Sequence, residues 1–322
     1  ATASIAAGGT LGILIPPSIV MVVYASATDV SVGRMFLAGV IPGLMAGTML
    51  MLTIYIIAKM RDLPKGEWRG WGEVSLSVES ERPVLDISNV DGLDQIEVDQ
   101  HAVTIGARVT WSEAVASRLG GWFDGVRKAA VEVGGPQVQN RGTLVGNVCN
   151  ASPAADGVPA LLALDASVRV QRLGATRDIP LGKFITGNRK TILGADELVS
   201  AIVIPVPAPG TISTFLKLGA RRHLVISIAM VAATVRTDGN CISGAAIAVG
   251  ACSPVAVRLT DLEKRLVGVS LMDASAEIRA TDAQHLAAID DIRASGAYRH
   301  SAALELTRRA LRDIAAQAEG GL

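Results

Sequence analysis

Cysteine is scarce in this sequence: there are three in 322 residues, at Cys149, Cys241 and Cys252. None forms a C-x-x-C pair, which argues against a disulfide framework, an iron–sulfur cluster or a zinc site within the chain. The four histidines, His101, His223, His285 and His300, also lack ligand spacing. Aromatic residues make up only 3%, so the apolar half of the composition comes from Ala, Val, Ile and Leu. Net charge is absent as well, with 30 basic and 30 acidic residues, which removes any electrostatic case for nucleic acid. There is no signal-peptide pattern, no internal repeat and no low-complexity tract. The first residue is Ala rather than Met, so the chain is expected to be a fragment. Its length suits about two domains.

Apolar residues are abundant and unevenly placed; mean hydropathy is +0.40. FLAGVIPGLMAGTMLMLTIYIIA, from Phe36 to Ala58, carries no charge. As a helix it would reach about 34 Å, enough to cross a bilayer core. Its missing polar stripe and the terminal Tyr55 favour a membrane span over a buried soluble helix. Residues 3 to 28 form another uncharged run, interrupted by Gly8-Gly9, Gly12 and Pro16-Pro17. A continuous helix is not expected there, because proline lacks a donor and clashes with the preceding turn. Broken apolar segments expose backbone groups at mid-membrane in transporters. The basic residues Lys59, Arg61, Lys65 and Arg69 place the following chain in the cytoplasm by the positive-inside rule.

From about Ser75 the texture becomes that of a soluble protein. VLDISNV, AVTIGARV, SVRVQRL, ELVSAIVIPV, TFLKLG and ISGAAIAVGA read as strands. WSEAVASRL, DGVRKAAVEV, PALLALDA and YRHSAALELTRRALRDIAAQA read as helices. In the last, Ala303, Leu306, Ala310, Leu311 and Ile314 recur at core-facing spacing. Without strict alternation of strand and helix, the expected class is α+β. The densest loop chemistry is GGPQVQNRGTLVGNVCNASPAAD, residues 134 to 156. Small residues there let a backbone approach a ligand, and successive N–H groups can cradle an anion. Asn147 and Asn150 offer amides and Thr143 a hydroxyl. The same composition also suits a long turn whose Asn and Asp satisfy local backbone.

Two resemblances follow from these stretches. ATASIAAGGTLGILIPPSIVMVVYASATDVSVGRMFLAGVIPGLM resembles the large membrane subunit of the tripartite ATP-independent periplasmic (TRAP) transporters, over about residues 1 to 74. PQVQNRGTLVGNVCNASPAAD is similar to the flavin-binding medium subunit of the molybdenum hydroxylases, the carbon monoxide and xanthine dehydrogenase type. This second resemblance extends through PVLDISNVDGLDQIEVDQHAVTIGARVTWSEAV, FITGNRKTILGADELVSAIVIPVP, TFLKLGARRHLVISIAMVAA and DDIRASGAYRHSAALELTRRAL, covering about residues 82 to 316. The first resemblance implies a membrane-type helical segment over 1–74; the second implies the second subdomain of a PCMH-type FAD-binding domain over 75–208 and the flavoprotein C-terminal domain over 209–322.

By that resemblance the cofactor is FAD. Gly142, Thr143, Gly146 and Asn147 match the loop lining flavin and pyrophosphate, and Cys149 and Asn150 match further contacts. Asp156 matches an acid near the adenosine end and Leu198 an apolar contact. Lys217 matches a lysine near the isoalloxazine, where a cation would favour reduced flavin; Arg221 and Arg222 read as surface charges. Val145 replaces the usual glycine and would either crowd the cofactor or point away. The implied partners are a molybdopterin-binding large subunit, a 2Fe–2S small subunit and NAD or another acceptor, with no catalytic residue and no metal in this chain. The family's first flavin subdomain carries its own A-G-G cradle. Ala7-Gly8-Gly9-Thr10 mimics it by letters but leads into LGILIPPSIV, so transporter sequence is expected in place of that subdomain. The flavin domain is expected in the cytoplasm and residues 1–60 in the inner membrane. The alternatives are a TRAP dicarboxylate-type permease fragment with an inert cytoplasmic extension, or a join produced by recombination or misassembly.

Overall fold

The structure, a computed structural model, describes residues 32–60, 85–288 and 290–320. Two compact units divide at Val84/Leu85. In the first unit the described element is helix α1, Val32–Met60, with Pro42 inside it. Residues Leu37–Ile57 have a mean hydropathy of 2.0 and only 6% of the window is buried. Leu37, Ile41, Leu44, Met49 and Tyr55 are all exposed. An apolar surface of this kind is unfavourable in water and suits lipid. The broken run of residues 3 to 28, with its Gly8-Gly9-Thr10 turn, lies outside the described residues.

The second unit holds two larger antiparallel sheets and a two-stranded one, formed by Ile185–Gly187 and Lys190–Thr191. Its chain runs through β1 (Ile96–Val98), β2 (Ala102–Gly106), α2 (Trp111–Ala116), α3 (Asp124–Glu132), α4 (Pro136–Gln139), α5 (Leu144–Asn150) and α6 (Gly157–Leu162). It continues through β3 (Ser167–Arg172), β4 (Ala175–Pro180), α7 (Leu181–Phe184), β5 (Ile185–Gly187), β6 (Lys190–Thr191) and β7 (Leu198–Pro205). Then follow β8 (Thr211–Leu218), β9 (Ala229–Asp238), β10 (Cys241–Gly250), β11 (Val257–Arg258), α8 (Thr260–Leu266) and α9 (Gly296–Gly320).

The first sheet has the order β1-β2-β7-β3-β4. Its register pairs Val103 with Ile204 and Ile105 with Ile202, all fully buried, so alternation of apolar residues sets which face meets the helices. α2 starts on a reciprocal cap: the Thr110 hydroxyl accepts from Glu113 N, and the Glu113 carboxylate accepts from Thr110 N at 2.7 Å.

The second sheet has the order β11-β10-β9-β8 and is buried on both sides. Met230, Ala232, Ala246 and Ala248 face a core shared with the first sheet and its helices. Val231, Ala233, Val235, Ile247 and Val249 face a second core closed by α8 and α9. The alternating side chains of one strand thus serve two cores, which is why β9 and β10 read as nearly continuous apolar runs. On α9, Ala303, Leu306, Ala310, Leu311 and Ile314 are buried as the helical spacing predicts.

Two local expectations change. Within VLDISNV the described residues 85 to 90 hold no strand but a turn at Ser88-Asn89, with Asp86 accepting from Ser88 N. This Asx turn offers the backbone an alternative to a ladder. The supposed loop at 134 to 156 contains two short helices, α4 and α5, which together take up about half of it. Pro136 at the first helical position and the Thr143 cap explain both starts.

Candidate functional site

The site begins with how α5 is held. Trp111 N donates to Gly142 O at 3.0 Å and Leu144 N to Val109 O at 3.3 Å, pinning the entry of α5 to that of α2. A Cβ on Gly142 would lie 2.9 Å from Val138 O, so glycine is required for this close passage. Thr143 is the N-cap, its hydroxyl accepting from Gly146 N at 2.9 Å. Asn147 N bonds Thr143 O at 3.1 Å. These bonds consume the amides of Leu144, Gly146 and Asn147. The amides of Thr143 and Val145 are left without an acceptor among the described residues. The cradle is therefore narrower than the expected run of donors from Thr143 to Asn147.

The outward face of α5 is formed by Gly146, Cys149 and Asn150, all exposed, with Arg141 beside them. Val145 turns inward and is only 3% exposed, so it does not crowd this face. Asn147 uses its side-chain oxygen to accept from Gly157 N at 3.2 Å, tying α5 to the start of α6. Gly157 has no room for a side chain: an added Cβ would stand 2.5 Å from Trp111 Cη2.

Asp156 and Lys217 meet. Their charged atoms are 2.6 Å apart, with the side chains 8% and 6% exposed. Ser227 Oγ donates to the other Asp156 oxygen at 2.6 Å, and Lys217 also donates to Glu132 O at 3.2 Å. Burial pushes the Asp156 carboxyl up, opposed by the Lys217 charge and the hydrogen bonds from Lys217 and Ser227. The two residues matched to opposite ends of a cofactor are brought together and pair with each other. Lys217 is not an isolated cation but half of a neutral pair, held below the surface by β8. Leu198 opens β7, the strand against which α5 packs, and is half-buried. Arg221 and Arg222 are exposed, as expected of surface charges.

Sequence reasoning missed two residues here. Ser227 lies in an apolar stretch that gives no signal. Arg189 has a left-handed backbone (φ 53), donates its N–H to Ala151 O at 2.8 Å and its guanidinium to Asn150 at 3.2 Å. Ala151 ends α5 in the same unusual conformation (φ 47). Two non-glycine residues held at positive φ and bonded to each other mark a constrained junction at the end of α5. Among the described residues no cluster of three potential metal ligands occurs.

The α5 face offers two unspent amides beside the exposed Gly146, where an added Cβ would stand 2.8 Å from Thr143 Oγ, and amides of this kind suit an anion such as a diphosphate. Comparison with known proteins identifies the family. Residues 72–207 match the family described as FAD binding domain in molybdopterin dehydrogenase, and residues 214–314 the CO dehydrogenase flavoprotein C-terminal domain. Residues 1–86 match the tripartite ATP-independent periplasmic transporter, DctM component. The nicotine 6-hydroxylase medium subunit of Paenarthrobacter nicotinovorans is 33% identical over 241 residues, 73% of this chain and 82% of that protein. The carbon monoxide dehydrogenase structure from Hydrogenophaga pseudoflava superposes with a TM-score of 0.66 at 25% identity, covering 76% of this chain and 88% of that one. A C4-dicarboxylate TRAP transporter large permease of Vibrio cholerae is 69% identical over 65 residues, but the chain spans only 14% of its length. The chain belongs to the FAD-binding subunits of the molybdenum hydroxylases, oxidoreductases of the carbon monoxide and xanthine dehydrogenase type, with a TRAP-permease-like stretch at its front.

Proposed function

We propose that the chain holds FAD against the exposed face of α5 and relays electrons from an iron–sulfur partner to an acceptor. The observation that carries this is the pair of unspent amides, Thr143 and Val145, beside the bare Gly146. Those amides would take the diphosphate, with Gly142, its own amide bonded to Val138 O, shaping the entry of the loop, Asn147 and Asn150 would donate amide hydrogens, and Cys149 would pack on the cofactor. Leu198 would supply an apolar contact. The Asp156–Lys217 pair would act from beneath, as a fixed dipole. When bound, FAD supplies the redox chemistry by linking carriers that exchange electrons singly and in pairs. The protein's part is to orient it and to exclude water.

The partners proposed are a molybdopterin-binding large subunit and a 2Fe–2S small subunit, with NAD or another acceptor downstream. Substrate is then chosen on the large subunit. Residues 75–208 form the second flavin subdomain and 209–322 the C-terminal domain. Residues 1–60 sit in the inner membrane through α1, with the flavin domain on the cytoplasmic side. The exposed apolar length of α1 supports that placement. Because permease-like sequence stands where the family's first flavin subdomain would be, one wall of the site is replaced and FAD binds weakly.

Flavin fluorescence quenching on the purified full chain tests this. FAD is expected to bind more weakly than micromolar, and Cys149→Trp, at an exposed position, to abolish binding without moving the thermal midpoint. Equal FAD binding by wild type and Cys149→Trp would remove α5 as the site.

A further inference from the structure

A cavity of about 310 Å³ lies where the end of β7 and the chain leaving α6 meet the second sheet. Thr211 lines it and opens β8; the strand then runs about 20 Å before reaching Lys217. The cavity is therefore remote from the α5 face and from the Asp156–Lys217 pair. Clefts between packed units are where small ligands are preferentially held.

One side carries a cation. β9 contributes Thr234 and Arg236, spaced to share a face of the strand. The pairing of β9 with β10 shifts between Ile242 and Gly244, which leaves Ser243 as the extra residue of a bulge opposite Arg236. The bulge holds the guanidinium over Gly244: Arg236 Nε donates to Ser243 Oγ at 2.9 Å and Nη2 to Ser243 O at 3.3 Å. Both acceptors are neutral, and no carboxylate among the described residues pairs with Arg236. Its Nη1 makes no bond among the described residues, nor does the hydroxyl of Thr234. A guanidinium fixed in place with its charge uncompensated is half of a charge-assisted hydrogen bond.

The other side carries an anion. Asp165 follows α6 with a left-handed backbone (φ 53), and one of its oxygens accepts from Arg258 Nη1 at 2.8 Å. Arg258 is already matched by Glu263, which takes Nε at 2.6 Å and Nη2 at 2.8 Å. Two carboxylates on one guanidinium leave a negative charge over. Glu263 is buried and the Asp165 side chain is 76% exposed, so the surplus is presented at Asp165. Asp165 and Arg236 line the same cavity without pairing with each other. Between them the walls are apolar, from Leu164, Pro205, Pro207 and Ala245.

We propose that this cavity binds a small amino carboxylate. Arg236 and Thr234 take its carboxylate, Asp165 takes its ammonium, and the carbon skeleton lies on Leu164 and the two prolines. The Ser243 bulge preorganises the guanidinium, which lowers the ordering cost of binding. The site uses no group of the α5 face and stands whether or not FAD is bound there.

Isothermal titration of the full chain tests this with two probes that differ in charge separation, L-leucine and 5-aminopentanoate. Each is compared with its counterpart lacking the amine, 4-methylpentanoate and pentanoate. Wild type should bind at least one amino carboxylate saturably, and more tightly than that counterpart. Arg236→Gln should weaken binding about tenfold, as loss of a charge-assisted hydrogen bond predicts, and Arg236→Lys should recover part of the loss. Asp165→Asn, a residue that also tolerates a left-handed backbone, should bring the amino carboxylate and its counterpart to equal affinity. Circular dichroism should show all three variants folded. No saturable binding of either amino carboxylate, equal affinity in wild type and Arg236→Gln, or a preference for the amine that survives Asp165→Asn would overturn the proposal.

Discussion

The α5 face and Asp156 sit on consecutive stretches of chain, yet the face and the Asp156–Lys217 pair are built on opposite principles. The α5 face keeps donors unspent and side chains small, so its chemistry is available to a ligand. The pair is buried and closes on itself, with both carboxylate oxygens and two of the ammonium protons engaged. One is the proposed binding face, the other ties the start of α6 to β8. Matching residues to a family pattern does not separate these roles, since both appear as equal letters in a motif; burial and hydrogen-bond accounting do.

The largest test of the contrast is Lys217→Met. It strands a buried carboxylate and should cost about 3–5 kcal/mol in urea unfolding. The double variant Asp156→Asn/Lys217→Met should recover most of that loss. A single-variant cost no greater than the double variant's would place the pair in solvent-like surroundings.

A smaller effect separates two carboxylates. Burial acts to raise Asp291, but hydrogen bonds from the Arg293 and Ala294 amides and from the Arg299 and Arg293 side chains outweigh it and hold it at about 2. A carboxyl depressed in the folded state stabilises above its unfolded pKa, and that contribution disappears as pH falls through the folded value. Wild type should therefore lose about 2 kcal/mol between roughly pH 4 and pH 2 from this group, less whatever its partial exposure screens. Asp291→Asn should be flatter over that window. Asp156, whose pKa is raised, carries the opposite sign: its titration lowers stability as pH rises. Identical acid limbs for wild type and Asp291→Asn would contradict the network.

The smallest stability effect is expected on the α5 face. Thr143→Ala removes the cap and should cost about 1 kcal/mol. Its effect on FAD affinity should exceed that of Asp156→Asn/Lys217→Met. The reverse order would mean that the buried pair, not the exposed face, carries recognition.

Much of the fold was legible because its signals are local. Five core positions of α9 follow from spacing alone, and β2, β3, β7, β8 and β10 from β-branched alternation. The helicity of residues 144 to 150 was not, because Gly, Asn and Thr suggest a loop; tertiary bonds to Val109 and Trp111 decide it. The cluster Gly142, Thr143, Gly146, Asn147, Cys149 and Asn150 is contiguous, so proximity came from sequence. The meeting of Asp156 with Lys217 and Ser227 spans 61 and 71 residues and depends on the tertiary fold setting β8 and the approach to β9 beside the start of α6. Nothing local encodes that. Arg189 escaped notice for the same reason: its role rests on a backbone conformation, not on its identity.

The double-faced second sheet has a consequence for the history of such a chain. Because β9 and β10 are a party wall between two cores, the flavin lobe cannot shed its C-terminal companion without baring Met230's and Ala232's side of the wall. Residues before Leu85 belong to a separate compact unit. Exchange of sequence at the back of the fold is costly in folding terms, because one cut through β9 or β10 opens both cores together.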